Sequence, residues 1–230
     1  MIQNFSDFCQ GLLSAGFSMG GGNAKGIFAL IPYDWTRQDA LDTPVKWHTG
    51  DPDTDPWEWR MRVLEERTDI AYSKLFFKIS GFITQAWYPL FFAVRRSGES
   101  FEEAYGRGSI SHMAKRIYEI ISGQDEIALH QIKSLGRFAK EDKSAFDRAM
   151  IELQMRMFIT TCGRMQKKNQ RGEDYGWNST VFTTVEAFWE KRGLLLPALD
   201  PQESHEKIRR QILLLNPAAE EKNIRRFIAG

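Results

Sequence analysis

Three aspartates at alternate positions, Asp51, Asp53 and Asp55, stand in the stretch GDPDTDPWEWR, and acids at that spacing begin calcium loops of the EF-hand type. The rest of that template fails here. Pro56 stands where the loop needs glycine, and Arg62 stands where it needs a bidentate glutamate. Aspartates between prolines more often cap turns and helix starts, and Asp55-Pro56 suits a helix with proline in its first position. The reading is therefore no metal ion. Asp55 and Glu58 lie three apart beside Trp57, Trp59 and Arg60, so on a helix they share a face and could act as general acid or base. An N-terminal capping pair has the same spacing and is the favoured account. Asp55, Glu58 and Arg60 remain the candidate catalytic cluster.

Other chemistry is weaker. In GFSMGGGNAKG, Lys25 follows a run of glycines, but no Gly-Lys-Ser/Thr comes at the phosphate-loop offset, and a strand over Ile27–Ile31 is expected where that loop needs a helix. The four histidines, His48, His112, His130 and His205, form no metal-binding pair. Cys9 and Cys162 are far apart, giving neither zinc spacing nor reason for a disulfide, and no nucleophile elbow accompanies them. A buried thiol at Cys162 would be inert. No cofactor is implied.

The elements that must carry these groups follow from periodicity. SDFCQGLLSA reads as a short helix, Asp34–Asp55 as an ordered loop, WEWRMRVLEER as a helix with Arg62 and Glu66 four apart, and DIAYSKLFFKISGFIT as β-prone. QAWYPLFFAVRRSG reads as a buried helix with Pro89 in its first turn. Residues 109–189 are the most regular. Ile110, Met113, Ile117, Ile120 and Ile121 recur at helical spacing behind Ser109 as cap, and ALHQIKSLG sets Leu129, Ile132 and Leu135 on one face and stops at Gly136. KEDKSAFDRAMIELQMR then aligns Phe146, Met150, Leu153 and Met157. MFITTCG and TVFTTVEAFW read as strands joined by a polar loop.

Three helices followed by a hairpin is the order of a winged helix-turn-helix. The expected fold class is α+β, mainly helical. Its parts are an aromatic-rich N-terminal α+β region (1–105), the winged helix-turn-helix (106–192) and a C-terminal helical tail (193–230). The tail could pack back on the body or form a homodimer contact.

Net charge is +1, yet it is segregated: residues 1–69 carry eleven acids against six bases, and residues 137–171 carry nine bases against four acids. The third helix would expose Lys140, Lys143, Ser144 and Arg148, and the wing Arg164, Lys167, Lys168 and Arg171, a set suited to phosphates. An exposed helix of mixed charge is also simply solvated in many proteins. No apolar run reaches the length of a membrane span and the start lacks a signal-peptide pattern, so a soluble, cytoplasmic protein is expected.

GDPDTDPWEWR at 50–60, IAYSKLFFKISGFIT at 70–84 and ALHQIKSLGRFAKEDKSAFDRAMIELQMRMFITTCGR at 128–164 together resemble the AlkZ-related, YcaQ-type winged-helix proteins, a group that includes bacterial DNA glycosylases. The resemblance implies tandem winged helices around a DNA cleft and a Gln-x-Gln or Gln-x-Asp pair that positions water. Gln131, Gln154, Gln166 and Gln170 have no Gln or Asp two positions on, so the family's catalytic pair maps to none of them. The functional expectation is binding of double-stranded DNA, with recognition or repair of damaged bases. The alternative is a small-molecule-binding or regulatory protein enclosing a ligand among Trp47, Trp57, Trp59, Tyr72, Phe76, Phe77 and Trp87.

Overall fold

The computed structural model describes residues 2–22, 25–31, 44–169 and 171–230. Residues 34–43 of the expected Asp34–Asp55 loop, with Trp35, lie outside the described residues, as do Asn23, Ala24 and Gln170. The chain is α+β and forms two compact units, residues 1–97 with 197–230, and residues 98–196.

The first unit begins with α1 (Phe5–Ala15), capped by the Asn4 side chain on the Asp7 N–H, and β1 (Phe17–Met19). After the Asp-Pro segment come α2 (Pro56–Glu66), β2 (Ile70–Phe76), β3 (Ile79–Thr84) and α3 (Tyr88–Arg96). α9 (Pro201–Leu215) and α10 (Glu221–Ala229) complete it. β3 lies between β1 and β2, antiparallel to both. Phe77 and Lys78 make the tight β2–β3 turn, both with positive φ, as a primed two-residue turn requires.

The expected strand Ile27–Ile31 is not a strand. Met19 donates its N–H to the Phe28 carbonyl, but the Leu30 N–H goes to the Ser18 hydroxyl in place of a ladder carbonyl. The strand here is instead Phe17–Met19, ahead of the glycines. Gly81, opposite Met19, is needed there because a β-carbon would run into the Phe76 ring and the Ser18 carbonyl. The core is aromatic: Phe17, Phe76, Phe91 and Phe227 interlock, with Phe76 and Phe227 stacked at 3.9 Å. Burying each such ring contributes about 1.5–3 kcal/mol.

The second unit opens with α4 (Phe101–Gly106), started by a Ser100–Glu103 capping box. α5 (His112–Ser122), β4 (Ile127–Ala128), α6 (Leu129–Leu135), α7 (Lys143–Met155), β5 (Ile159–Met165), β6 (Ser179–Thr184) and α8 (Val185–Glu190) follow. β6 pairs with both β5 and β4. Ile117, Ile121, Ile132, Phe146, Leu153 and Phe158 make its core.

Several local expectations are corrected. The α5 cap is Ser111, whose hydroxyl accepts the Ala114 N–H, while the Ser109 hydroxyl donates to the Ala104 carbonyl. Glu152 of α7 accepts both the N–H and hydroxyl of Ser111, which ties the two helices together at their ends. Leu135 is 62% exposed, because the helix ends beside it at Gly136 and only Ile132 is fully covered. TVFTTVEAFW is half strand and half helix: Thr184 ends β6 and caps α8.

Within each unit one stretch follows a similar order of elements. Each runs helix, strand, helix, then a hairpin whose second strand pairs with the first strand of the unit, followed by a helix (α1-β1-α2-β2-β3-α3 and α5-β4-α6-α7-β5-β6-α8). The second stretch has one more helix between its first strand and its hairpin, and α4, α9 and α10 lie outside the shared order.

Candidate nucleic-acid interface

In the second unit the candidate basic residues come from α7 and the turn before it, from the end of β5 and from the loop between β5 and β6. α7 starts at Lys143, one residue after Asp142 accepts the Ala139 N–H, so Lys140 belongs to the turn before the helix and not to its face. Lys140, Lys143, Ser144 and Arg148 are all exposed. Ser144 and Arg148 lie one turn apart, and the Arg148 guanidinium donates to the Ser144 hydroxyl at 2.8 Å. The opposite side of the helix buries Phe146, Ala149, Met150 and Leu153. One face is thus committed to the core and the other is polar.

The β5–β6 hairpin extends past its ladder through an isolated bridge, Lys168 opposite Asp174. Tyr175 donates its N–H to the Lys167 carbonyl, and Gln166 donates to the carbonyls of Tyr175 and Gly176. The Asn169 side chain closes the tip by accepting the N–H groups of Arg171 and Glu173. On this frame Arg164, Lys168 and Arg171 are exposed and Lys167 is half-buried. Cys162 sits on β5 at the bulge between Thr161 and Gly163. Burial pushes its thiol up to about 12, which keeps it protonated and unreactive at neutral pH.

The Asp-Pro corner of the first unit is built differently. Asp55 is fully buried, and its carboxylate accepts the N–H groups of His48 (3.0 Å), Gly50 (2.9 Å) and Trp57 (2.8 Å). It is the α2 cap and the anchor of the preceding loop. Asp51 accepts from the Thr54 hydroxyl and the Asp53 N–H, which hold its carboxyl below the usual range, and Asp53 pairs with Arg62. The Arg60 guanidinium lies over the Trp57 ring and its Nε donates to the Trp57 carbonyl. Glu58 is half-exposed on the same first turn. Trp59 and Phe76 are fully buried and Tyr72 nearly so; Trp59 donates to the Pro52 carbonyl and packs on Phe5 and Phe8.

A groove of about 550 Å³ in this unit is lined by Phe5, Cys9, Leu13, Arg62, Glu66 and Arg67, among others, and Asp55, Glu58 and Arg60 are not in its wall. Arg62 is engaged with Glu66 and Arg67 with Asp69. Among the described residues, no group of three His, Cys, Asp or Glu is arranged to hold a metal ion, and no helix is long and apolar enough to cross a membrane.

Two compact units of shared order, one of them presenting basic residues on a helix and a hairpin, define an α+β protein with a polar, cation-bearing face. The chain belongs to the AlkZ-related family, whose model matches residues 2–229. Among solved structures it is similar to the Streptomyces sahachiroi DNA glycosylase AlkZ, at 9% identity and a TM-score of 0.39, over 76% of this chain and 50% of that one. The chain therefore spans about half the length of that glycosylase. No curated protein matches the sequence.

Proposed function

We propose that this protein binds double-stranded DNA through a winged helix formed by α5, β4, α6, α7, β5 and β6, and that it serves in recognition or repair of damaged bases. The observation that carries this reading is the pairing of β4 with β6 inside a helix-strand-helix-helix-hairpin order, with cations exposed on the last helix and on the hairpin. That is the order in which a winged helix offers its third helix to the major groove and its wing to the neighbouring backbone. Lys143, Ser144 and Arg148 are the groove-facing set of the helix, Lys140 stands on the turn before it, and Arg164, Lys167, Lys168 and Arg171 neutralise phosphates. In the first unit β1 pairs with β3 as β4 pairs with β6, with one described helix, α2, between β1 and the hairpin.

Membership in the AlkZ-related family supports the DNA reading. Were the protein to hydrolyse a base–sugar bond, water would have to be oriented by a carboxylate or glutamine outside the Asp55 corner, since three backbone N–H groups occupy that carboxylate. A cytoplasmic setting accords with this role. A homodimer through the tail would have to use the outer face of α9, where Leu214 is 75% exposed, because Ile208 and Ile212 are buried within the first unit.

Electrophoretic titration of a duplex against salt tests the proposal. Lys167→Ala combined with Lys168→Ala lowers affinity on every sequence and reduces the slope of log K against log salt by about 2, near 0.9 per phosphate contact. An unchanged slope removes the wing from the interface.

A further inference from the structure

The chain has seven tryptophans, and their environments differ sharply. Trp59 and Trp189 are fully buried, and Trp57 is covered on one face by Arg60. Trp177 is 89% exposed and Tyr175, two residues before it, is 51% exposed. Both sit on the loop between β5 and β6. Large aromatics left in water on an ordered surface mark interaction sites more often than isolated small apolar residues do.

The surroundings of the pair give it a purpose. The Lys168–Asp174 bridge, the Tyr175 N–H on the Lys167 carbonyl and the two bonds from Gln166 set the backbone as far as Gly176, and the ladder resumes at Ser179 opposite Met165. Gly176 between them has φ 64°, a turn that keeps the chain from continuing as a regular strand into β6. Lys167, Lys168 and Arg171 lie on the same hairpin. Its two acids are Glu173, held by the Asn169 amide at 2.8 Å, and Asp174, whose backbone pairs with that of Lys168.

Aromatic rings next to cations match the chemistry of nucleic acid whose bases are unstacked, because phosphates take the cations and any free base has a face to stack on. An apolar wedge also fits a duplex opened at one step, where it replaces the lost stacking. A lipid surface would need a broader apolar face than two rings amid charged residues.

We propose that Tyr175 and Trp177 form an aromatic tip on the basic wing that stacks against unpaired bases where a DNA duplex is open. This rests on the DNA reading above, and gives it a substrate class: duplexes containing a mismatch bubble, a bulge or an abasic gap. Lys167, Lys168 and Arg171 hold the flanking phosphates while the rings occupy the opening.

The test compares a labelled intact duplex with the same duplex carrying a three-base bubble, using the full-length chain and its variants. The wild type binds the bubble more tightly, and Trp177→Ala loses about tenfold on the bubble and less than about twofold on the intact duplex, the range expected for one base–aromatic stack. Trp177→Phe keeps most of the preference. Bubble DNA quenches tryptophan emission in the wild type, and the quench disappears in Trp177→Ala. Because Trp177 is 89% exposed, its removal leaves the circular dichroism and melting temperature unchanged.

Equal losses on both DNAs, or no loss on either, overturn the aromatic tip while leaving duplex binding by the basic residues intact. Absence of binding to either DNA overturns both readings. Selective loss of binding to phosphatidylserine vesicles in Trp177→Ala, with DNA affinity unchanged, assigns the rings to a membrane and also overturns the proposal.

Discussion

The Asp55 carboxylate accepts the backbone N–H of His48 at 3.0 Å, and His48 is a non-glycine residue with φ 61°. A left-handed conformation costs a residue with a β-carbon about 1–2 kcal/mol. The same carboxylate takes the N–H of Gly50, where φ is 76°, so one buried side chain stabilises two left-handed turns as well as the start of α2. The acidic spacing that resembled a metal loop is the means by which the loop before α2 is held.

Asp55→Ala removes a cap and takes the acceptor from the N–H groups of His48, Gly50 and Trp57, and lowers stability by about 2–3 kcal/mol. Asp55→Asn retains one acceptor oxygen and loses less. Thermal denaturation should show a fall of about 5–10 °C for the alanine variant. A melting temperature equal to wild type would mean that water replaces the carboxylate and that the corner does not depend on it.

Gly81→Ala places a methyl group against the Phe76 ring and the Ser18 carbonyl, where β1 meets β3. Overpacking at a backbone contact costs about 1–3 kcal/mol. Urea denaturation should show a lower midpoint with an unchanged slope. Wild-type stability would show that the β1–β3 approach relaxes without cost.

Arg95 donates to the carbonyls of Leu75, Phe227 and Ile228, so its charge lies on the last turn of α10. Burial pulls the guanidinium down to about 10, yet it stays charged at neutral pH and favours the negative end of the helix. Arg95→Met keeps the bulk and removes the donors. The expected loss is about 2–3 kcal/mol, with faster hydrogen exchange in residues 221–229. Unaltered exchange there would show that Phe227 packing alone holds the helix.

Burial holds the Cys9 thiol near 11, against an ordinary value of 9.0, and Cys162 near 12. In the native state both resist a thiol reagent at pH 8, and both react after denaturation. For an acid whose folded pKa is raised, the unfolded chain releases its proton first, so stability is complete below pH 9 and falls as pH climbs toward 11. Cys9→Ser with Cys162→Ser should flatten that alkaline fall. Rapid labelling of the native protein would place the thiols at the surface.

Legibility along the chain followed burial geometry. The face of α7 was plain because Phe146, Met150 and Leu153 recur at helical spacing on an otherwise charged segment, and all three are buried. Ser109 and Ser111 are both good capping residues two positions apart, and only the contact with Glu152 on α7 selects Ser111. β4 is two residues long and β1 three, too short for an alternating pattern, so the shared order of the two units was hidden. In the candidate interface, the cations of α7 and the wing could be named from composition, whereas Lys140 fell outside the helix because Asp142 turns the chain just before Lys143.

By itself the sequence determined the α+β class, the helix spacing of residues 112–155, the capped Asp-Pro start of α2 and the resemblance to the AlkZ-related family, since these depend on neighbours along the chain. Only the tertiary structure decided which aromatics are core and which stand in solvent. Trp59 and Trp177 are the same residue type in similarly polar segments, yet one is packed between Phe5 and Phe8 and the other is 89% exposed. Burial depends on what distant segments bring into contact, and no local pattern carries that information.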